Sequence, residues 1–182
     1  MLALLLGGCA TLSAPGQPPA RQALEQFLVE GRFALKIERV GEAPGSASGR
    51  LSWRHEKGRD LLLLANPLGG GVAELEIAML ARLTLANGEV RQSADADALL
   101  LQTTGYALPV SRLPGWLRGL AGPDGLLERD AQGRPARLVE AGWSVVYGYD
   151  DAVPESPPAR LVVTRPGELE LRLRLESWSV LP

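Results

Sequence analysis

Reactive side chains are scarce in this chain. Its 182 residues include one cysteine and one histidine, and each shortage closes off a class of function. A lone cysteine permits no internal disulfide, whatever the redox compartment. A Ser-His-Asp triad would have to be built on His55, which sits between Arg54 and Glu56 at the end of a strand-like run, and no Gly-x-Ser-x-Gly motif occurs. His55 therefore reads as a surface residue. Metal binding would fall to carboxylates, and no Asp/Gly calcium loop is present to arrange them. The pairs Glu74/Glu76 and Asp95/Asp97 read more simply as a wet strand face and helix-terminal acids. Gly69-Gly70-Gly71 follows a strand, but without a Lys-Ser/Thr pair or a helix after it, so a phosphate loop is not expected. An excess of positive charge is missing too: a net charge of -2 with mixed signs offers no field for phosphate backbones, which argues against nucleic acid as partner. Neither an enzyme, a cofactor nor a bound metal is expected.

The length suits one domain with a real core, and a hydrophobic content of 46% is ordinary for a globular protein. Met1 to Gly8 is an apolar run far short of the ~20 residues a spanning helix needs. Leu6-Gly7-Gly8-Cys9 resembles a bacterial lipobox, which implies cleavage before Cys9 and acylation of its thiol. No Lys or Arg precedes the cysteine, so residues 1–8 read as the remnant of a signal peptide whose start lies upstream. Residues 9–20, rich in Pro, Gly, Ser and Thr, then form a flexible tether from lipid to domain. Three acyl chains would exceed the two signals stable anchoring usually takes. Ala10 rather than Asp after the cysteine resembles an outer-membrane address. The single domain would occupy residues 21–182.

Along that domain, Leu24, Phe27 and Leu28 at i, i+3 and i+4 predict an amphipathic helix over Arg21 to Glu30, stopped by Gly31. Strict alternation then predicts strands at Arg32 to Glu38 and Arg50 to His55. Asp60 to Ala65 holds four consecutive leucines, which period alone does not assign, but its length and the flanking Gly58 and Pro67 favour a strand. Strands follow at Val72 to Ile77, Ala81 to Ala86 and Glu89 to Arg91, the last two joined by Asn87-Gly88 in an expected type I′ turn. Asp95 to Gln102 reads as a capped helix with Gly105 near its stop, and Tyr106 to Gly119 as a proline-bounded short helix carrying Leu113, Trp116 and Leu117. Strands resume at Leu126 to Asp130, Ala136 to Glu140, Trp143 to Tyr149, Arg160 to Thr164 and Glu168 to Trp178. The last sets Leu169, Leu171, Leu173 and Leu175 against Glu170, Arg172, Arg174 and Glu176, one face dry and the other wet. The expected fold is mainly β: an incomplete, half-open antiparallel β-barrel of about eleven strands, with about three helices covering its apolar face.

Two features carry function in this reading. A curled sheet closed by helices leaves room for an apolar ligand between the layers, and Phe33, Trp53, Leu63, Leu75, Ile77, Trp116, Trp143, Leu171 and Leu173 are candidates to line it. The second is Asn66-Pro67-Leu68-Gly69-Gly70-Gly71, a turn between two strands with one leucine at its tip. Burying a leucine is worth ~1.5 to 3 kcal/mol, so Leu68 either folds back onto the core or meets an apolar partner.

These motifs converge. Asn66-Pro67-Leu68-Gly69, the helix start Ala94-Asp95-Ala96-Asp97-Ala98-Leu99-Leu100, the stretch Leu108-Pro109-Val110-Ser111-Arg112-Leu113-Pro114-Gly115-Trp116-Leu117-Arg118-Gly119, and Gly142-Trp143 resemble the LolB family of outer-membrane lipoprotein receptors, in order from about Gly31 to Trp178. The resemblance implies a cavity that takes lipoprotein acyl chains from the periplasmic carrier LolA, and a lipid-anchored monomer on the periplasmic face of the outer membrane. It also implies that Pro67, Leu68 and Gly69 form a membrane-insertion loop. A structural envelope lipoprotein, a lipid-binding protein without transfer activity and a lipid esterase built on His55 are the alternatives.

Overall fold

The first and last strands of the domain pair with each other, and this places everything else. The computed structural model describes residues 19–38, 41 and 43–182, so Cys9 and most of the expected tether lie outside the described residues. Eleven antiparallel strands form one sheet: β1 (Phe27–Ile37), β2 (Gly45–Glu56), β3 (Arg59–Ala65), β4 (Gly71–Ile77), β5 (Ala81–Leu85), β6 (Val90–Ser93), β7 (Leu126–Arg129), β8 (Pro135–Glu140), β9 (Trp143–Gly148), β10 (Arg160–Arg165) and β11 (Leu169–Val180). Their spatial order is β6-β5-β4-β3-β2-β1-β11-β10-β9-β8-β7, so β6 and β7 are the edges of an incomplete barrel. Two α-helices, α1 (Ala96–Thr104) and α2 (Leu113–Leu117), connect those edges, where about three helices were expected.

The expected N-terminal helix is not formed. Arg21–Ala23 makes one 3-10 turn and the chain is already extended at Phe27. The reason is pairing: β1 lies between β2 and β11, with Phe27 opposite both His55 and Val180, so its backbone groups are satisfied on two sides. The spacing of Leu24, Phe27 and Leu28 concealed a strand alternation in which Phe27 and Val29 are buried and Glu30 is exposed. Gly31, read as a helix stop, instead sits at a bulge between Glu30 and Gly31. A Cβ there would lie on the carbonyl oxygen of Arg174 across the pair, so only glycine allows the approach.

The hairpin at Asn87-Gly88 also differs from expectation. Only Gly88 takes a positive φ, 83°, while Gly88 N donates to Leu85 O at 2.9 Å and Leu85 N to Glu89 O at 2.9 Å. This is a three-residue loop, a type I turn closed by a left-handed glycine, rather than a two-residue type I′ turn.

Side chains on the inner sheet face form one core from Phe27 and Val29 through Trp53, Leu75 and Leu83 on one half to Leu173, Leu161, Val145 and Leu138 on the other. The helices cover this face. Asp95 caps α1, its Oδ1 accepting from Asp97 N at 2.9 Å and Ala98 N at 3.0 Å, and left-handed Gly105 closes it. Gly31→Val should lower unfolding stability by about 3 kcal/mol, because a side chain must displace backbone at the central strand pair; urea melts of the two proteins measure it.

Candidate functional site

The inner face is not covered evenly. Strand β2 ends in large inward residues, Leu51 and Trp53, but begins with Gly45, Ala47 and Gly49 opposite Ile37, Leu35 and Phe33 of β1. Around these small residues the inner side chains Phe33, Leu35, Leu64, Ala73 and Leu85 are only partly buried, as are Tyr106 and Leu108 just after α1. All five strand positions lie toward the strand ends that carry the Asn66 to Gly71 loop.

Of the candidate lining residues, Trp53, Leu75, Trp116, Trp143, Leu171 and Leu173 are buried on this inner face, and Phe33 and Ile77 are partly buried beside it. Leu63 is not among them. It pairs with Ser52 and Glu74 on the outer face and is 40% exposed. The four-leucine run alternates like any strand, and the inward members are Leu62, opposite Trp53, and Leu64, opposite Leu51. The signal was in the sequence: a two-residue turn at Lys57-Gly58 places Glu56 opposite Arg59 and fixes the rest by counting.

The helical crossover is braced within itself and tied to the sheet on the β8–β9 side. Asp97 of α1 accepts from Ser111 N at 2.9 Å and Ser111 Oγ at 2.7 Å. At the far side Glu140 of β8, a buried carboxylate, accepts from Trp116 Nε1 at 3.2 Å and Gly122 N at 2.8 Å, with Arg112 Nη1 at 3.2 Å from its other oxygen. Tyr147 of β9 donates its hydroxyl to Trp116 O at 2.9 Å, and burial pushes the pKa of this phenol well up. Composition and periodicity gave no hint of Glu140, which reads in sequence as one more wet-face acid.

Leu68 stands apart from all of this at 97% exposed, on a loop that is nonetheless rigidly built. Gly69 N donates to Asn66 O at 2.9 Å and Asn66 N to Gly70 O at 2.8 Å, while Asn66 Oδ1 accepts from Leu68 N at 2.9 Å and Gly70 N at 3.1 Å. The same turn recurs at Asp130 to Arg134, where Asp130 Oδ1 accepts from Gln132 N and Arg134 N and Gly133 is left-handed. The tip there is Gln132, and at the Leu85 to Glu89 turn it is Asn87. Nothing in the turn requires a leucine. Val72 and Leu63 extend the exposed apolar surface onto the outer face of the flanking strands.

The family model described as outer membrane lipoprotein LolB matches residues 25–178. The chain belongs to the LolB family. Among curated LolB members, the outer-membrane lipoprotein LolB of Dechloromonas aromatica is 45% identical over 179 residues, covering 98% of this chain and 94% of its own. That of Thiobacillus denitrificans is 38% identical over 187 residues, covering 100% and 95%. A solved LolA superfamily protein from Nitrosomonas europaea shares the fold at 11% identity, with a TM-score of 0.51 over 86% of each chain.

Glu140→Ala should lower stability by about 3 kcal/mol, since it strands the buried Trp116 Nε1 and Gly122 N, whereas Glu140→Gln keeps an acceptor and should lose less. Urea melts followed by tryptophan fluorescence compare the two.

Proposed function

We propose that this chain is an outer-membrane lipoprotein receptor that accepts acylated lipoproteins from a LolA-type periplasmic carrier and delivers them to the outer membrane. The observation that carries this reading is the set of inner apolar side chains left only partly buried toward the Leu68 end of β1, β3, β4 and β5, beside a helical crossover that is not part of the sheet pairing. A hydrocarbon chain entering there meets Phe33, Leu35, Leu64 and Leu85 above the small residues of β2. Each methylene left in water costs ~0.8 kcal/mol, so acyl chains pass from carrier to receptor mouth to mouth rather than through solvent.

No covalent chemistry is required by this route. His55 is engaged by Asp60, with Nδ1 2.8 Å from Oδ1, and the same carboxylate oxygen accepts from Trp53 Nε1 at 2.8 Å, an arrangement that fixes the end of β2. The chain is held at the periplasmic face of the outer membrane through acylated Cys9 and works as a monomer.

Leu68 supplies the contact with the bilayer. Its side chain is already exposed, so no internal packing is lost when it enters lipid, and the Asn66 hydrogen bonds hold the tip in place. Leu68→Glu should leave the fold, and uptake of lipoprotein from the purified carrier, unchanged while lowering delivery into liposomes by about tenfold or more. Co-purification scores the first step and flotation of labelled lipoprotein the second. Failure of the unchanged chain to take lipoprotein from the carrier would overturn the receptor reading; equal delivery by Leu68→Glu would remove only the role of the tip.

A further inference from the structure

At the end of the barrel opposite Leu68, three arginines line one cleft of about 530 Å³: Arg21 of the 3-10 turn, Arg118 just after α2 and Arg129 of β7. Leu24, Leu120, Gln22, Glu25 and Gly133 complete its walls. Among the described residues most arginines have a carboxylate within ion-pair distance, including Arg32, Arg54, Arg59, Arg112, Arg134, Arg160 and Arg174. Among the described residues none of the three in the cleft does, and the Glu25 carboxylate on its wall pairs with none of them. Arg118 and Arg129 bond only to backbone, Arg118 Nε to Pro114 O at 3.2 Å, Arg118 Nη1 to Leu24 O at 3.3 Å, and Arg129 Nη1 to Gly133 O at 2.8 Å, while the Arg21 guanidinium lies against the neutral Tyr149 hydroxyl. Arg21 Nη1 is shielded from solvent without any partner. Each guanidinium has five N–H donors, and a native fold rarely leaves a buried donor unmet.

Three guanidinium groups without a carboxylate partner, beside apolar walls, match a phosphate carried on a hydrocarbon body, since the planar fork of arginine meets phosphate oxygens in pairs. Position selects the source. Pro19 and Ala20 lead into this cleft, and Arg21 N is fixed there by Glu155 O at 2.7 Å. A tether from Cys9 spans on the order of 40 Å at most, from roughly 3.5 Å per residue, which keeps this end within reach of the headgroups that surround the anchor. Met79, 96% exposed at the β4–β5 tip, lies at the same end.

We propose that the Arg21–Arg118–Arg129 cleft binds the phosphate of a phospholipid headgroup. The choice of a lipid rather than a free anion rests on the receptor reading, and it deepens that reading. Docked by this end, the domain holds its Leu68 end toward the periplasm, where a carrier reaches it, and releases the headgroup before Leu68 turns to the bilayer.

The test uses the full chain carrying Cys9→Ser, so that its own lipid plays no part, with arginine Nε–H NMR signals as the readout. The probes are dihexanoyl phosphatidylglycerol below its micelle concentration, inorganic phosphate and an oligoglutamate peptide. Saturable shifts at Arg21, Arg118 and Arg129 are expected with the lipid, and weaker ones or none with the other two. Arg21→Gln/Arg129→Gln should weaken lipid binding at least about tenfold, while Arg50→Gln/Arg82→Gln, the same charge change elsewhere, should not. If the first pair melts early, Arg21→Lys/Arg129→Lys replaces it and must also lose affinity. Phosphate binding as tight as the lipid, preference for oligoglutamate, or equal losses in the cleft and control variants would each overturn the proposal. Fluorescent fatty-acid uptake measured on the same variants keeps the readings apart: uptake lost with headgroup binding intact counts against the receptor interior alone, and the reverse against the cleft alone.

Discussion

The pairing of β1 with β11 is the constraint on which the architecture depends. Because the terminal strands occupy the middle of the sheet, its edges are the mid-chain strands β6 and β7. The segment between those edges has no route except across the open apolar face. Residues 94–125 therefore become the cover of the interior, and the two short helices are where that crossing packs down. A closed barrel would need no such crossing and would expose no such face. The cover packs into the core through the buried Leu99, Val110, Trp116 and Leu117, is braced within itself from Asp97 to Ser111, and is tied to the sheet from Trp116 and Gly122 to Glu140, while the ladder hydrogen bonds all belong to the sheet.

Strands were legible where alternation is uninterrupted. The Leu169 to Leu175 series, the inward Phe33, Leu35 and Ile37, and the capped start of α1 all stand where periodicity and capping put them, because there local pattern and tertiary burial agree. The misreadings share a cause. At Leu24 to Leu28 a three-and-four spacing overlapped a two-residue alternation, and only pairing on both sides of β1 decides between them. At Leu63 an all-apolar run hid the parity until the neighbouring turn was counted. Asn87-Gly88 suggests two left-handed residues, but a one-residue-longer loop needs only the glycine. Glu140 was invisible because nothing local distinguishes a buried acceptor from a solvated acid; its three donors come from residues 18 to 28 positions away. The likeness to LolB proteins named the family, and the side chains show what that family's landmarks are attached to.

The tip at Leu68 gains meaning from its siblings. Among the described residues three loops use the same left-handed glycine, and two of them also use a side-chain oxygen that accepts from the backbone two and four residues on. With backbone geometry held constant, residue choice at the tip becomes a comparison the protein makes against itself: Gln132 and Asn87 where the tip meets water, Leu68 where it does not suit water. That internal control separates what the turn needs from what the leucine is for.

The central β1–β11 pair also governs when this protein can fold. Phe27 must find Val180, so the sheet has no completed centre until almost the whole chain is available. Contacts this distant in sequence fold slowly, because loop closure precedes the gain from pairing. A chain that emerges N-terminus first stays without its final core until its C-terminal strand is free. For a protein bound across a membrane that delay is an advantage: the polypeptide stays threadable during export and becomes a barrel only on the side where β11 arrives.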